Sequence, residues 1–270
     1  MVAIGCQRRH IRTIFRKLFG FGGPASRDFS ADLPAVPKGT RVYAVGDIHG
    51  SLELLREMHE LIEQDSRVLQ PERLVLIYLG DYVDLGEKTR ETLDYLIDEP
   101  LKGFERIYLR GNHEEFLLNF LEDASLAPMW LPNGGDTTLL SYGVGLGDAA
   151  NAEERYRDMQ TRLGEAIPER HLEFVRSLET YHVEGDYLFV HAGVRPGVPL
   201  ESQTGQDLLW IRDEFMTSDE NHEYCVVHGH TIVPEADFRA NRISVDTGAY
   251  YSGMLSCAVL EDDDRRIIHT

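Results

Sequence analysis

The chain has 270 residues, 42% of them apolar, enough for one or two domains whose core buries roughly 70–75% of the unfolded surface. Acidic residues outnumber basic ones 46 to 27, giving a net charge of −19, and so acidic a surface argues against nucleic acid as a partner. No window approaches the roughly 18 uninterrupted apolar residues of a membrane span. Cys6, Cys225 and Cys257 are too few and too scattered for a disulfide framework or a Cys-x-x-Cys metal site, so the expectation is a soluble, reducing, cytoplasmic setting.

Residues 1–40 depart from the rest in charge, with Arg8, Arg9, Arg12, Arg16, Lys17, Arg27 and Lys38 against only Asp28 and Asp32. Ile11, Ile14, Phe15, Leu18 and Phe19 recur at helical spacing among these bases. The pattern is that of a basic amphipathic helix over 8–19, suited to an anionic membrane surface or an acidic partner. A disordered tail, a helix folded back on the acidic body and an organelle transit peptide are the competing readings. Gly20, Gly22, Gly23, Pro24, Pro34 and Pro37 mark 20–38 as a linker. The expected division is a basic tail and linker over 1–40 and one catalytic domain over 41–270.

In the body, apolar runs at 42–46, 74–80, 106–111, 187–193, 225–229, 242–248 and 256–260 read as strands, several apolar on both faces. Helical patterns fall at 51–64, 87–98, 114–123, 151–165 and 168–179, with Ser51 and Pro168 as N-terminal signals. Acidic residues 261–264 read as a solvated turn before a last strand. Such alternation predicts a layered α/β fold.

Most of the strands run into a turn rich in Gly, Asp and His: "GDIHG" (46–50), "GDYVDLG" (80–86), "GNHEE" (111–115), "VHAG" (190–193) and "VHGHT" (227–231). Ligands of open α/β sheets bind outside the carboxyl ends of the strands. Singly, "GDIHG" is as readily a strand–helix junction, and "GNHE" a helix start with Asn112 capping and Glu114 favouring the dipole. Together the five turns suggest one site. Asp, Asn and His suit first-row divalent metals, and buried carboxylates without a cation repel or take up protons.

These turns resemble the binuclear metallophosphoesterases, specifically the bacterial branch of the phosphoprotein phosphatase family of serine/threonine phosphatases, from about Val42 to Gly253. The resemblance implies a four-layer sandwich of two mixed sheets flanked by helices. It implies one divalent ion on Asp47, His49 and Asp81 and another on Asp81, Asn112, His191 and His230, with Asp81 bridging. It makes His113 the catalytic histidine, Asp84 its carboxylate partner, and Arg212 of "LLWIRDEF" a contact of the substrate phosphate, alongside Asn112. The reaction implied is hydrolysis of phosphoserine or phosphothreonine in proteins, or of phosphotyrosine, by direct attack of a metal-bridging hydroxide. Manganese, iron, zinc or cobalt would suit the ligands, manganese being the leading expectation.

One position departs from the family pattern. The second turn normally ends in Asp-Arg-Gly, its arginine gripping phosphate, whereas this chain has Asp84-Leu85-Gly86. Arg90, Arg110 or Arg212 is left to compensate. Two alternatives follow: a dinucleoside tetraphosphate hydrolase, and a catalytically weak phosphoprotein-binding module. Elsewhere, His228 reads as packing behind the ligands rather than as a ligand, and Asp246 as orienting its turn. "NGGDTT" (133–138) reads either as a pocket loop or as a plain glycine turn.

Overall fold

The computed structural model describes residues 33–68, 71–149 and 151–270; the basic stretch 8–19 lies outside them. Its strands are β1 (Thr40–Val45), β2 (Arg73–Tyr78), β3 (Glu105–Tyr108), β4 (Tyr181–Glu184), β5 (Tyr187–Val190), β6 (Cys225–His228), β7 (Asp237–Phe238), β8 (Arg242–Ser244), β9 (Ser256–Glu261) and β10 (Asp264–His269). Its helices are α1 (Leu52–Ser66), α2 (Thr89–Asp98), α3 (Asn112–Glu122), α4 (Ala127–Trp130), α5 (Gly135–Ser141), α6 (Ala152–Ala166), α7 (Glu169–Ser177), α8 (Gly205–Trp210), α9 (Asp213–Met216) and α10 (Ala249–Ser252). Two five-stranded sheets form, in the orders β10-β9-β1-β2-β3 and β4-β5-β6-β8-β7. Both are mixed: β1 runs parallel to β2 and antiparallel to β9, and β5 parallel to β6 and antiparallel to β4.

The period-2 geometry of a strand assigns each residue to a layer. Val42, Ala44, Val75, Ile77 and Ile107 face inward and meet Phe189, Val227 and Ile243 of the second sheet. Tyr43, Val45, Leu76 and Tyr78 face outward and pack on Leu55, Met58, Ile62 and Leu93 of α1 and α2. On the far side, Leu188, Val190 and Val226 meet Leu208 and Phe215 of α8 and α9. Helices, sheet, sheet, helices: these are the expected four layers. Because both faces of each sheet are covered, the strands read as continuous apolar runs. Polar groups help to fix the register of β1. Tyr43 donates its hydroxyl to Asp65 Oδ2 (2.6 Å), and buried Arg41 donates to the Asp65 carbonyl and to Glu261 Oε2 (each 2.9 Å). A slip by one residue would turn these groups toward the apolar layer between the sheets.

Pairing brings the strand ends together. Val45 lies opposite Tyr78, Tyr78 opposite Tyr108, Phe189 opposite Val227, and His228 opposite Ser244. The parallel strands therefore release their turns at one edge of the sandwich.

Several expectations change in detail. The strands stop before their glycines, since the chain turns through positive φ at Gly80 and Asp81. The third long helix starts at Asn112, with Gly111 as its cap, and the Ser51 hydroxyl reaches back to the His49 carbonyl (3.4 Å) instead of capping α1. β4, β7 and the helices of four to seven residues, α4, α5, α8, α9 and α10, were not foreseen, being too short to show a period. "NGGDTT" is no plain turn, because it runs into α5. The last part of the expected linker is also built into the body. Ala35 and Asp186 exchange hydrogen bonds, the Val36 amide donates to the Asp262 carbonyl (3.0 Å), and the Tyr187 hydroxyl donates to the Pro34 carbonyl (3.0 Å).

Candidate active site

The first two turns are joined by backbone hydrogen bonds: His49 N to Asp81 O (2.8 Å) and Gly50 N to Tyr82 O (2.9 Å). His49, Asp81, Asp84, Leu85 and His230 all have positive φ, between 44° and 67°; among the described residues only Asp262 joins them outside glycine. Each such conformation costs of order 1–2 kcal/mol and persists only where neighbours impose it. Glu114 imposes it at Asp81 and fixes the turn that follows. Its buried carboxylate accepts from four backbone amides: Asp81 (3.0 Å), Tyr82 (2.7 Å), Val83 (3.2 Å) and Gly111 (2.8 Å). Contact at Gly111 and Gly229 is so close that a Cβ on either would lie 2.0 Å from Asp81 Oδ1 or Asp47 Oδ1.

Asp47, His49, Asp81, Asn112, His191 and His230 converge, all buried. His49 donates Nδ1–H to the Val83 carbonyl (2.8 Å), and His191 to the Leu79 carbonyl (2.9 Å). Both rings therefore present Nε2 inward, to Asp81 Oδ2 at 3.5 and 3.3 Å, and His191 Nε2 also lies 2.9 Å from Asn112 Oδ1. Burial lowers the pKa of His49 to about 4 and, with His191 adding its charge, that of His230 to about 2. Their lone pairs stay free at neutral pH. Burial, Asp246 and Asp81 push Asp47 well above the carboxylate range. Asp81 lies well below it, the positive charges of His191 and His113 outweighing burial.

Do these residues fit metal ions? Asp47 Oδ1 and His230 Nε2 are buried with no hydrogen-bond partner, a costly state that a cation would relieve. Two groups have donor atoms close enough to share an ion, His49–Asp81–His113 and Asp81–His191–His230, and Asp81 belongs to both. The donor set fits two divalent cations bridged by Asp81. Asp47 falls in neither group: its Oδ2 accepts from the His230 amide (2.9 Å), leaving Oδ1 as the free donor.

His113 differs from the other histidines. Its Nδ1 meets Asp84 Oδ2 at 2.8 Å, while its Nε2 lies 3.9 Å from Asp81 Oδ2. Burial alone would lower its pKa, but Asp81 and the Asp84 hydrogen bond carry it up to about 9. It therefore holds a proton at neutral pH. Asp84 is fully buried, accepting also from Trp130 Nε1 (2.9 Å) and the Thr138 hydroxyl (2.6 Å). Glu114's clamp, Trp130 and Thr138 were missed in the sequence. Only the "NGGDTT" stretch hinted at Thr138.

Behind the cluster, His228 sits between the Gly229 carbonyl (3.0 Å) and the Ser244 hydroxyl (2.9 Å), and Asp246 accepts from the Gly248 amide (2.8 Å). Arg212 stands at the mouth, exposed, donating Nη1 to the His230 carbonyl (3.4 Å). Arg110 points away, to the Arg176 carbonyl (3.1 Å), and Arg90 acts electrostatically on Tyr142 and His171. Neither replaces the arginine missing at Leu85.

Residues 40–257 match the calcineurin-like phosphoesterase family. The chain belongs to that family. It is 27% identical over 225 residues to serine/threonine-protein phosphatase 2 of Escherichia coli K12, covering 80% of this chain and 90% of that protein. It is 23% identical over 234 residues to the asymmetrical bis(5'-nucleosyl)-tetraphosphatase PrpE of Bacillus thuringiensis, covering 78% and 87%. A solved structure described as a candidate diadenosine tetraphosphatase shares the fold, with a TM-score of 0.52, 19% identity and coverage of 88% of this chain and 98% of the other. The chain is thus a metallophosphoesterase, of a family that uses divalent metals. No helix among the described residues is long and apolar enough to cross a membrane.

Proposed function

We propose that this metallophosphoesterase is a protein serine/threonine phosphatase that hydrolyses phosphomonoesters without a phosphoenzyme intermediate. The carrying observation is the buried His113–Asp84 pair beside a cluster built for cations. Two divalent ions held by Asp47, His49, Asp81, Asn112, His191 and His230 would supply the charge that binds phosphate and acidifies the attacking water. The chain's own groups supply the rest. His113 would give a proton to the leaving oxygen, and Asp84, fixed by Trp130 and Thr138, keeps the ring turned. Arg212 offers a guanidinium to an outer phosphate oxygen.

Leaving-group chemistry favours this reading. A serine or threonine alkoxide is a poor leaving group and needs a proton from a strong hydrogen-bond acid, whereas a nucleotide phosphate departs readily as an anion. Dinucleoside tetraphosphate hydrolysis is the second reading, favoured by the similarity to a tetraphosphatase over most of the chain. A panel with added manganese decides between them: a phosphoserine peptide, an aryl phosphate and a dinucleoside tetraphosphate. Higher kcat/KM on the phosphopeptide is the expected result, and turnover of the tetraphosphate alone would overturn it.

A further inference from the structure

The first turn of α3 holds two acids, Glu114 and Glu115, and the floor of the site uses only the first. Glu114 is buried and clamps the turn at Asp81–Val83. Glu115 is half-buried and forms no ion pair among the described residues. It stands three residues from Asn112 on the same helix face, a spacing that puts Cβ atoms about 5–6 Å apart. A carboxylate so close to a phosphate-binding floor repels a phosphate dianion. Yet it is held there: Trp210 Nε1, 95 residues further on, donates to Glu115 Oε2 (2.7 Å). Phe116 braces the indole, with ring centroids 4.9 Å apart and planes at 88°, and lies 6.4 Å from the His113 ring. Ile211, extended and buried, separates half-buried Trp210 from exposed Arg212, so both emerge on the same side of the chain. A carboxylate, an indole and a guanidinium thus share one flank of the mouth.

We infer that Glu115 and Trp210 form a subsite for an arginine of the substrate peptide. The protein phosphatase proposed above, on which this inference rests, then prefers phosphoserine or phosphothreonine flanked by arginine. A guanidinium is the cation that suits this pair. Its flat face stacks on an indole and its forked N–H groups match a carboxylate, whereas a lysine ammonium is a compact point charge. Trp210 engages Oε2 and leaves Oε1 to that fork. Pairing also cancels the charge that opposes phosphate, so the peptide's cation and its phosphate each favour binding of the other. The net charge of −19 attracts cationic peptides in the same sense. A dinucleoside tetraphosphate brings no side-chain cation to Glu115 and meets the repulsion in full.

The test uses the full chain with manganese and one phosphoserine peptide sequence. Arginine, alanine or glutamate in turn occupies each of the three positions on either side of the phosphoserine. Arginine at one of these positions should lower KM about 3- to 30-fold relative to alanine, with kcat moving little, and added salt should shrink the preference. Glu115→Gln keeps an oxygen for the Trp210 N–H and removes only the charge. It should raise KM for the arginine peptide and lower KM for the glutamate peptide, a reversal of sign that loss of packing would not produce. Wild-type protein indifferent to arginine at every position, or a Glu115→Gln variant that shifts all peptides alike, would overturn the subsite. A wild-type protein that cleaves a dinucleoside tetraphosphate and no phosphopeptide would instead overturn the phosphatase reading beneath it.

Discussion

On the floor of the site, Asp47, His49, Asp81, Asn112, His191 and His230 are buried, and the side chains of Asp47, His49, Asp81 and His191 are bonded to backbone, while on the rim Leu85, Arg212, Tyr250 and Tyr251 meet solvent. The floor tolerates strained backbone, unpartnered polar atoms and clustered carboxylates, and bound cations would offset the last two. The rim stores no comparable electrostatic cost, though Leu85 shares the backbone strain. On the proposed reading, chemistry common to the family belongs to the first region and discrimination between substrates to the second. Perturbing the floor should therefore abolish activity on every ester, and perturbing the rim should change which ester is favoured.

The largest effect is expected from Asp81→Asn. The residue is nearly isosteric and keeps an oxygen for the His113 amide (3.1 Å), but it removes the one charge common to both donor groups. Metal stabilisation is worth several kcal/mol and about 1.4 kcal/mol is a factor of ten, so activity should fall roughly 10³- to 10⁵-fold on all substrates. Metal analysis of the purified variant should give at most one ion per chain. Retention of two, with activity intact, would separate Asp81 from the bridging role.

Next comes His113→Ala. General acid catalysis contributes typically 10²- to 10⁴-fold, so kcat on phosphoserine peptides should fall by about that much, with metal content nearly unchanged. Aryl phosphates, whose leaving group needs less protonation, should lose distinctly less. Equal losses on both would take His113 out of the acid role and make it a support for Asp81, which its Nε2 also approaches at 3.9 Å.

The same division explains what could be read from the sequence. Floor residues were legible because each sits in a short turn at a strand end, where type, spacing and context coincide. The behaviour of the floor histidines was not, because it depends on what each Nδ1 meets. Nδ1 of His49 and of His191 donates to a carbonyl, which turns Nε2 toward the cluster, whereas Nδ1 of His113 meets a carboxylate that, together with Asp81, holds its proton. Asp84's other partners come from Trp130 and Thr138, 46 and 54 residues away on helices of four and seven residues, too short to announce themselves by period. Pro34–Pro37 was misread for another reason. Proline marks a break in regular structure but does not tell a free linker from a strap whose partners, Asp186, Tyr187 and Asp262, lie far along the chain.

On the rim, Leu85→Arg should gain activity. A charge-assisted hydrogen bond is worth roughly 1.5–3 kcal/mol, and a fork placed on an outer phosphate oxygen should raise kcat/KM for alkyl phosphomonoesters about 10- to 100-fold. Aryl phosphates should gain less, because the same change removes an apolar wall. A variant no faster than wild type on any ester would mean that Arg212 already saturates the phosphate, and Arg212→Ala would then lose at least the same factor.

Arg110→Ala should do least, though in the sequence it lies closest to the site, immediately before "GNHE". Its guanidinium turns from the floor and donates Nη2 to the carbonyl of Arg176, in the last turn of α7, while its amide bonds to the Glu179 carbonyl (2.7 Å). The last carbonyls of a helix lack internal partners, and a cation there is worth roughly 0.3–1 kcal/mol. Arg110 thus fastens the end of α7 to the segment leading into α3. Truncation to alanine keeps the backbone bond and removes only the side-chain contact, whose buried Nε has no partner of its own. A 1 kcal/mol loss lowers Tm by about 2–4 °C in a chain of this size. Tm should therefore fall by a few degrees at most, while kcat/KM changes less than about twofold on serine, threonine and tyrosine phosphopeptides alike. A tenfold loss of kcat/KM with Tm unmoved would bring Arg110 back to the phosphate and erase the boundary between floor and rim on that side of the site.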